Sequence, residues 1–590
     1  MSQRKTRHRM QTMKIRSMSD LEKLSHDHRI KLYHPDEVKV NIGMAMCGIS
    51  VGSKATLEKA IRGFPQGSGV HIGQTGCLGF CEEEPLVEIL ANGKPRVVYR
   101  RMTEDKILDA IHGYVRGDIN KKWILGQMRD PRSLLENHIE NPLRRVKPLA
   151  GVPFLEDIPF YKEQTRIALR NCGYIDPEKI EEYFARGGYL AFLRAISEMK
   201  PGEIIKAIKE SGLRGRGGGG FPTGIKWETC ARQKGEKYVI CNADEGNPGT
   251  YMDRSILEGD PHSVLEGMLI AAYAIGSNQG FIYVRHEYPL AIKRLVVAIK
   301  QAEDYGLLGE NIAGSDFRFR VKISTGAGAF VCGESTALMA SLEGNVGRPR
   351  AKYVHTVEKG FRDSPSNLNN VETYANVPVI LLNGASWYAN IGTQYSKGTK
   401  VFSLVGKIKN SGSIEIPMGT SLREIVYNIG GGIPNGKKFK AVQTGGPSGG
   451  CIPEAFLDLS VDYQELTKVG SMMGAGGMIV MDEDNCMVDI ARHFLDFLKE
   501  ESCGQCNPCR EGIKRMLEIL TDICEGRGKE GDIELLEELG GMMQKFSLCG
   551  LGTSAPNPVL STILYFRDEY EAHIKEKHCP AGVCKALLES

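Results

Sequence analysis

The chain has 590 residues, far more than the roughly 100–200 of one domain, so three or four compact units are expected. Its 75 lysine and arginine residues nearly balance 72 acidic residues, and a net charge of +3 over this length excludes an extended basic surface for nucleic acid. No stretch reaches the roughly 18 apolar residues of a membrane span, so we expect a cytoplasmic protein with neither nucleic acid nor membrane as a partner.

The sixteen cysteines fall mostly into three groups along the chain. The first nineteen residues are basic and no apolar signal core follows them, so residues 1–35 are predicted to form a solvated basic tail. In a long chain of this kind, thiols typically serve metal binding or catalysis rather than disulfides. The three cysteine groups are therefore candidate cofactor sites.

Hydrophobic periodicity predicts a small α/β unit over residues 36–115. Val38 to Gly43 has the pattern of a strand, Lys54 to Arg62 has that of an amphipathic helix, and two short apolar runs flank the turn Asn92-Gly93 as in a hairpin. A charged linker with several helix breakers is predicted over residues 116–150.

Beyond the linker, three further units and a tail are predicted, so the fold class is a multidomain α/β protein. Apolar strands alternate with helical stretches over residues 151–395, which is typical of an α/β sandwich with ligands at the strand ends. Short β segments with glycine turns predict a β-grasp-like module over 396–465. Amphipathic helices predict a helical bundle over 466–570 and leave a C-terminal tail over 571–590.

One cysteine group lies in the predicted bundle. Cys503, Cys506 and Cys509 stand at Cys-x-x-Cys-x-x-Cys spacing, and Cys549 follows after a helical segment. Three neighbouring thiolates and one distant thiolate suit a [4Fe–4S] cluster, whose irons lie close together. Four cysteines also satisfy a tetrahedral structural zinc site, and that alternative stays open.

A glycine-rich stretch runs from Gly212 to Trp227 and includes Gly215, Arg216, Gly217 and Lys226. Bare backbone amides beside cations are what a phosphate-bearing cofactor requires. Glycine runs also occur in flexible loops, so this stretch gains its meaning from the motifs that follow it.

Polar motifs follow the strands of the same α/β region. They comprise acids and amides after one strand, a helix start after another and an asparagine pair downstream: Asn242, Asp244, Glu245, Phe330, Gly333, Glu334, Ser335, Asn369, Asn370 and Thr373. Such groups at the carboxyl ends of strands suit the ribityl and ring atoms of a flavin. Each motif alone is typical of a turn and a helix cap, whereas three in one region favour a binding site.

These motifs resemble the NADH-binding flavoprotein subunit of respiratory complex I and the related β subunits of cytoplasmic hydrogenases and formate dehydrogenases, over about Pro153 to Tyr570. The resemblance implies that the glycine loop and the polar motifs bind FMN and that the four bundle cysteines bind a [4Fe–4S] cluster. It also implies NAD(P)(H) as substrate. The implied partners are a small [2Fe–2S] subunit and a hydrogenase or formate dehydrogenase module, with ferredoxin and electron bifurcation by analogy.

Three departures from that family fall where it holds its nucleotide. Asn247 replaces an acid, Ser335 replaces the second glutamate of a pair, and Tyr353-Val-His355 replaces a Pro-Pro-Phe platform. Loss of a carboxylate near the adenosine ribose relieves the repulsion of a 2′-phosphate, so we predict NADP(H) in preference to NADH. The cations nearby are Arg348, Arg350, Lys352 and His355.

The N-terminal unit resembles thioredoxin-like [2Fe–2S] ferredoxins through Cys77 and Cys81, with Cys47 before a helix. Those ferredoxins use four thiols, and Ile42 stands where the other cysteine would precede Cys47. A cluster there needs a different ligand, such as His71 or a bound thiol. Loss and retention of the cluster both stay open.

A last group lies near the C-terminus. His573, Cys579 and Cys584 are joined by Cys486 upstream, and one imidazole with three thiolates suits a closed structural zinc site. A terminal tail with idle thiols is the alternative.

The sequence thus predicts an NAD(P)H:acceptor oxidoreductase subunit that exchanges hydride with FMN and passes single electrons through a [4Fe–4S] cluster, with no acid–base side chain in a catalytic role. One alternative is a non-catalytic iron–sulfur relay or scaffold that no longer binds nucleotide, which Asn247, Ser335 and His355 favour. Another is an interaction module whose cysteine groups bind zinc.

Overall fold

The computed structural model describes residues 13–128, 146–351 and 353–588. Lys352, predicted to lie near the nucleotide, and residues 129–145 of the predicted linker fall outside the described residues. In the part of the chain that the structure describes, no helix is long and apolar enough to cross a membrane.

The first helix, α1 (Met18–Tyr33), lies in the segment predicted as a tail. It begins at a capping box formed by Ser17 and Asp20, and its Leu21 side chain is fully buried. The buried Arg29 donates a hydrogen bond of 3.1 Å to a carbonyl oxygen of the α/β unit. The prediction of a solvated tail is wrong from Met18 onward, because this helix has one face that packs on the rest of the protein.

The N-terminal unit is built from β1 (Val38–Gly43), α2 (Met46–Ser50), α3 (Ser53–Gly63), β2 (Val70–Thr75), β3 (Val87–Leu90), β4 (Val97–Tyr99), α4 (Glu104–Arg116) and β5 (Ile124–Gln127). The strands form one sheet in the order β2-β1-β3-β4-β5, with β1 and β2 parallel and the other pairs antiparallel. The structure corrects the boundary at residue 116, because β5 lies in the predicted linker yet pairs with β4 and is buried along its length.

The central α/β unit supplies most of the candidate site residues. Its helices are α5 (Pro159–Lys162), α6 (Ile180–Ala185), α7 (Leu190–Glu198), α8 (Pro201–Glu210), α9 (Thr223–Arg232), α10 (Met252–Gly259), α11 (Pro261–Ile275), α12 (Pro289–Asp304), α13 (Ser335–Leu342), α14 (Val371–Asn383) and α15 (Ala385–Ala389). Its strands are β6 (Tyr238–Ala243), β7 (Gln279–Arg285), β8 (Arg320–Gly326) and β9 (Ser366–Asn370), and they form a fully parallel sheet in the order β8-β7-β6-β9.

A second five-stranded sheet follows, in the order β11-β10-β14-β12-β13. Its elements are β10 (Thr399–Gly406), β11 (Gly412–Pro417), β12 (Phe439–Thr444), β13 (Cys451–Pro453), α16 (Tyr463–Lys468) and β14 (Gly477–Asp482). β14 lies between β10 and β12, although its residues were predicted to belong to the helical bundle. The predicted boundary at residue 465 is therefore too early, since this sheet needs β14 as its central strand.

The C-terminal bundle consists of α17 (Met487–Glu501), α18 (Asn507–Cys524), α19 (Asp532–Phe546), α20 (Gly550–Ser554) and α21 (Asn557–Glu571). It covers one face of the parallel sheet, where Tyr238 and Ile240 share a hydrophobic core with Leu495 and Ile513. Residues at the alternate positions of β6, such as Val239, point to the opposite face of the sheet. There they pack against α11 and α14. This packing brings the bundle beside the carboxyl edge of the sheet.

Candidate functional site

The glycine-rich loop lies between α8 and α9 and is held by short hydrogen bonds. The amide of Gly215 donates to the carbonyl oxygen of Phe221 at 2.9 Å, and the hydroxyl of Tyr463 donates to the carbonyl oxygen of Gly215 at 2.7 Å. A Cβ atom added at Gly219 would meet nothing within 4 Å. The loop therefore presents bare backbone to open space, which side chains would fill.

The guanidinium of Arg216 does not face that space, contrary to the prediction that it binds a cofactor phosphate. It is fully buried and donates hydrogen bonds of 2.6–3.0 Å to the carbonyl oxygens of Arg214, Lys397 and Thr399 and to the hydroxyl of Tyr388. Its backbone amide donates to the Oγ1 atom of the buried Thr373 at 2.9 Å. Both residues therefore fix the loop in place, because a buried guanidinium requires acceptors on all sides.

A buried ion pair beside Arg216 stabilises the same loop. Lys400 and Glu372 are both fully buried, and the ammonium of Lys400 donates to the carboxylate of Glu372. That carboxylate also accepts the amide of Val401 at 2.9 Å and lies 4.0 Å from Nε of Arg216. The loop geometry thus depends on charges that have no access to water.

Acids and amides cluster where β6 ends. The side chain of Asn242 donates to the carbonyl oxygen of Gly333 at 2.9 Å and accepts the amide of Asp244 at 3.0 Å. Neither carboxylate oxygen of Asp244 has a hydrogen-bond partner among the described residues, and burial raises the pKa of this carboxyl to about 7. Glu245 accepts the first amides of α10, and burial raises its pKa as well.

The start of α13 and the end of β9 complete this edge. Glu334 caps α13 by accepting the amides of its first turn, and the hydroxyl of Ser335 donates to Glu334 at 3.1 Å. The side chain of Asn370 donates to Asp253 at 2.6 Å, whereas the buried Oδ1 atom of Asn369 has no partner in the described chain. The ammonium of Lys226 donates to the carbonyl oxygen that precedes this asparagine pair, at 2.8 Å.

Two cavities open at this edge and share a wall. The first, of about 470 Å³, is lined by Gly215, Lys226, Ser335, His355 and Asn369 among others. The second, of about 550 Å³, is lined by Asp244, Glu245, Asn247, Phe330 and residues of the other two units. Gly217 to Gly219, Asn242, Gly333, Glu334 and Asn370 line both cavities. Their size and their unpartnered buried acceptors fit a phosphorylated flavin.

Sequence reasoning missed the part of the wall that comes from other units. Tyr463 and Met472 to Ala475 come from the second five-stranded sheet module. Gly550, Leu551, Thr553 and Ser554 come from α20. They carry no motif, and their position depends on how the units dock. Gly474 alone gives a hint, because it forms a backbone bridge with Gly218 in a left-handed conformation that favours glycine.

The four bundle cysteines line one small void. Cys503, Cys506 and Cys509 precede or begin α18, and Cys549 stands immediately before α20. The sulfur atoms of these four cysteines do not all lie within 4.8 Å of one another. In two other cysteine groups of the described chain, the ligand atoms do lie that close. The wider spread suits a [4Fe–4S] cube better than a single zinc ion, whose thiolates lie about 3.8 Å apart.

Comparison with known proteins identifies the family. The Nuo51 FMN-binding domain matches residues 208–379, the NADH-ubiquinone oxidoreductase-F iron–sulfur binding region matches 489–573, and an SLBB domain matches 401–452. The chain is 56% identical to the NADP-reducing hydrogenase subunit HndC of Solidesulfovibrio fructosivorans, over 72% of this chain and 87% of that protein. The chain belongs to the flavoprotein family that combines a Nuo51 FMN-binding domain with an NADH-ubiquinone oxidoreductase-F iron–sulfur region. Its FMN-binding domain and [4Fe–4S]-binding region confirm the prediction of FMN and of a [4Fe–4S] cluster, and the chain is an NAD(P)H dehydrogenase subunit of an oxidoreductase.

Other members of the family share most of its length. An NADH-quinone oxidoreductase subunit of Rhizobium meliloti is 45% identical over 70% of this chain and 99% of that protein. The solved NAD+-reducing [NiFe]-hydrogenase in the H2-reduced state aligns with a TM-score of 0.61 at 28% identity, over 94% of this chain and 90% of that chain. The likeness to the hydrogenase thus extends over nearly the whole chain.

The N-terminal cysteines also meet in space. The Sγ atoms of Cys47, Cys77 and Cys81 all lie within 4.8 Å of one another. The predicted alternative ligand His71 lies on β2 and lines a separate cavity beside α1, and Ile42 is buried within β1. Sequence reasoning did not single out Glu84, yet its carboxylate lies 3.3 Å from the Sγ atom of Cys77.

The C-terminal group is equally compact. Cys486, His573, Cys579 and Cys584 are all buried, and their ligand atoms lie within 4.8 Å of one another. Nε2 of His573 lies 3.5 Å from the sulfur of Cys486 and 3.4 Å from that of Cys584. Nδ1 of His573 is 2.7 Å from the carbonyl oxygen of Glu569, a contact that orients Nε2 into the group.

Proposed function

We propose that this chain exchanges hydride between NADP(H) and FMN and passes single electrons through its [4Fe–4S] cluster to partner subunits. One observation carries the proposal: Val331 and Leu551 line both the larger cavity and the void between the cluster cysteines. A flavin in that cavity would lie one side chain from the cluster. When bound, FMN supplies the conversion between two-electron and one-electron chemistry.

The chain's own residues would bind and orient the FMN. The amides of the glycine loop and the ammonium of Lys226 favour the phosphate, while Asn242, Asn369 and Asp244 offer donors and acceptors to the ribityl chain and ring. Asp244 and Asn369 are buried, which strengthens the contacts that these two side chains make. No side chain has to transfer a proton for hydride exchange.

The proposed preference for NADP(H) over NADH is based on the charges around the smaller cavity. Ser335 lines it without a carboxylate, and the carboxylate of Glu334 is occupied by the amides of α13. His355 lines the same cavity, and the exposed Arg348 and Arg350 are close to it in the chain. A 2′-phosphate would meet less repulsion here than in a site with two acidic side chains. The relative HndC, named as NADP-reducing, supports the same preference.

Flavin bleaching at about 450 nm after anaerobic mixing with NADPH or NADH tests this proposal. NADPH is expected to bleach the flavin faster. Ser335→Glu is expected to shift the ratio of kcat/KM for NADPH over NADH by about tenfold towards NADH, because its carboxylate repels a 2′-phosphate. Ser335→Gln, which adds the same bulk without charge, should leave the ratio near that of the parent protein.

Faster bleaching by NADH in the parent protein would overturn the preference for NADP(H). No bleaching by either nucleotide would favour the relay or scaffold function. The described cavity beside the cluster void supports the enzyme instead.

The proposed partners are a small [2Fe–2S] subunit and a hydrogenase or formate dehydrogenase module, with ferredoxin as a second acceptor if the complex bifurcates electrons. The similarity to hydrogenase chains over most of the sequence supports the hydrogenase module in particular. The cytoplasm is the proposed compartment, since these partners work there.

A structural zinc ion is the proposed occupant of the C-terminal group. The sulfur atoms of Cys486 and Cys584 lie 3.8 Å apart, which matches the thiolate spacing in tetrahedral zinc sites. Cys584→Ser is expected to lower the zinc content by about one atom per chain and to lower the unfolding temperature, as measured by elemental analysis and calorimetry. Cys230→Ser, a buried cysteine elsewhere, should keep the zinc; equal zinc in both variants would contradict the assignment.

A further inference from the structure

A buried carboxylate lies among the three N-terminal thiols. Glu84 is 7% exposed, and its Oε1 atom lies 3.3 Å from the sulfur of Cys77 and 3.9 Å from that of Cys47. The sulfur of Cys81 is within 4.8 Å of both other sulfurs. Three soft ligands and one hard ligand thus converge on one point.

The carboxylate is held there by the backbone. The amide of Leu86 donates to Oε2 of Glu84 at 2.7 Å, which leaves Oε1 directed at the thiols. A Cβ atom at Gly43 or Gly48 would come within 3.3 or 3.1 Å of Oε2, so both glycines allow this close approach. The position of the carboxylate is therefore built into the fold.

Within the described part of the chain, no cation pairs with this carboxylate. Among the described ion pairs none involves Glu84, whereas the neighbouring Glu83 pairs with Arg100 and Arg101. A carboxylate buried without a cation among the described residues is costly. A bound metal centre would remove that cost.

The surroundings favour an iron–sulfur centre over zinc. The amide of Gly79 donates to the sulfur of Cys77 at 3.1 Å, a contact that tunes iron–sulfur clusters. The sulfur of Cys81 lies 3.8 Å from the hydroxyl of Tyr251, which belongs to the flavin-binding unit and precedes α10. Glu245, whose carboxylate accepts the first amides of α10, lines the larger cavity. The thiols thus face the redox part of the molecule.

We propose that Glu84 is the fourth ligand of a [2Fe–2S] cluster bound by Cys47, Cys77 and Cys81. It takes the place of the thiolate that Ile42 cannot supply. Oε1 of Glu84 is the proposed ligand atom, so the cluster needs neither an external thiol nor an imidazole. This assignment stands apart from the hydride exchange proposed above, because it concerns the N-terminal unit alone.

Iron analysis and EPR of the full-length holoprotein test the assignment. The parent protein is expected to hold about six iron atoms, of which the [4Fe–4S] cluster accounts for about four. A reduced [2Fe–2S] cluster keeps its EPR signal at liquid-nitrogen temperature, where [4Fe–4S] signals broaden away. Glu84→Ala is expected to lose that signal and about two iron atoms, with its FMN content unchanged.

Glu84→Cys separates ligation from a purely structural role. It is expected to retain the iron and to show changed g values and a changed visible circular dichroism spectrum, because sulfur replaces oxygen at one iron. Glu82→Ala, on an exposed neighbour, should match the parent in all measurements. A parent protein without the liquid-nitrogen signal, zinc in place of iron at this site, or unchanged spectra in both Glu84 variants would overturn the assignment. Flavin bleaching is unaffected by any of these outcomes, so failure here leaves the proposed function standing.

Discussion

Cys549→Ser is expected to remove the [4Fe–4S] cluster while leaving flavin reduction intact. Cys549 is 8% exposed and lines the same void as Cys503, Cys506 and Cys509, so it is the predicted distant ligand. A serine hydroxyl does not replace a thiolate on iron at neutral pH, and three ligands on one loop do not close the site. Iron content should fall by about four atoms per chain. The low-temperature EPR signal of the reduced cluster should vanish.

The same variant separates the two halves of the reaction. Bleaching by the preferred nucleotide depends on the cavities and should stay within about twofold of the parent rate, whereas electron delivery to a partner subunit should fall by at least about a hundredfold. Cys524→Ser, which alters a buried cysteine of the same bundle outside the four ligands, is the matched control. A Cys549→Ser protein that keeps its signal and its iron would show that the cluster lies elsewhere.

Glu372→Gln should have the largest effect on stability. It leaves the ammonium of Lys400 buried without its partner and weakens the surroundings of Arg216, so unfolding in urea should require about 3–5 kcal/mol less free energy. Because Arg216 anchors the glycine loop, FMN affinity should fall as well. The fluorescence of the fully buried Trp227 reports on this unit.

The double variant Glu372→Gln with Lys400→Met tests the cause. Removing both charges eliminates the uncompensated ammonium, so the pair should recover part of the stability that Glu372→Gln loses. Additive losses in the two single variants and the double variant would show that the ion pair does not matter as a unit. Glu228→Gln, on a partly exposed carboxylate of α9, should change the unfolding free energy by less than about 1 kcal/mol.

Much of the architecture was accessible from local sequence patterns. β6 and β7 are apolar runs, and α17 and α19 have helical periodicity, so they agree with the predicted α/β unit and helical bundle. β9 was missed because Ser366 to Asn370 is almost entirely polar, and only pairing with β6 makes it a strand. β14 was assigned to the wrong unit because sequence patterns do not show which sheet a strand joins.

The residue types of the site were predictable from the sequence, but the orientation of their side chains was not. The sequence marks Arg216 as a cation in a glycine loop, yet only the fold turns its guanidinium away from the cavity. Three consecutive glutamates follow Cys81, and nothing in their order shows that Glu84 is the one that reaches the thiols. Such features depend on backbone geometry, which periodicity does not report.

The larger cavity has walls from three units, represented by Asn242, Met473 and Leu551. A ligand that contacts all three binds only when the units are docked, so by thermodynamic linkage it stabilises the docked arrangement. Free FMN at a hundred times its dissociation constant adds about 2.7 kcal/mol to that arrangement. Flavin supply in the cell would thereby govern how firmly the bundle closes over its cluster thiols, and flavin-starved cells would accumulate chains whose thiols are open to oxidation.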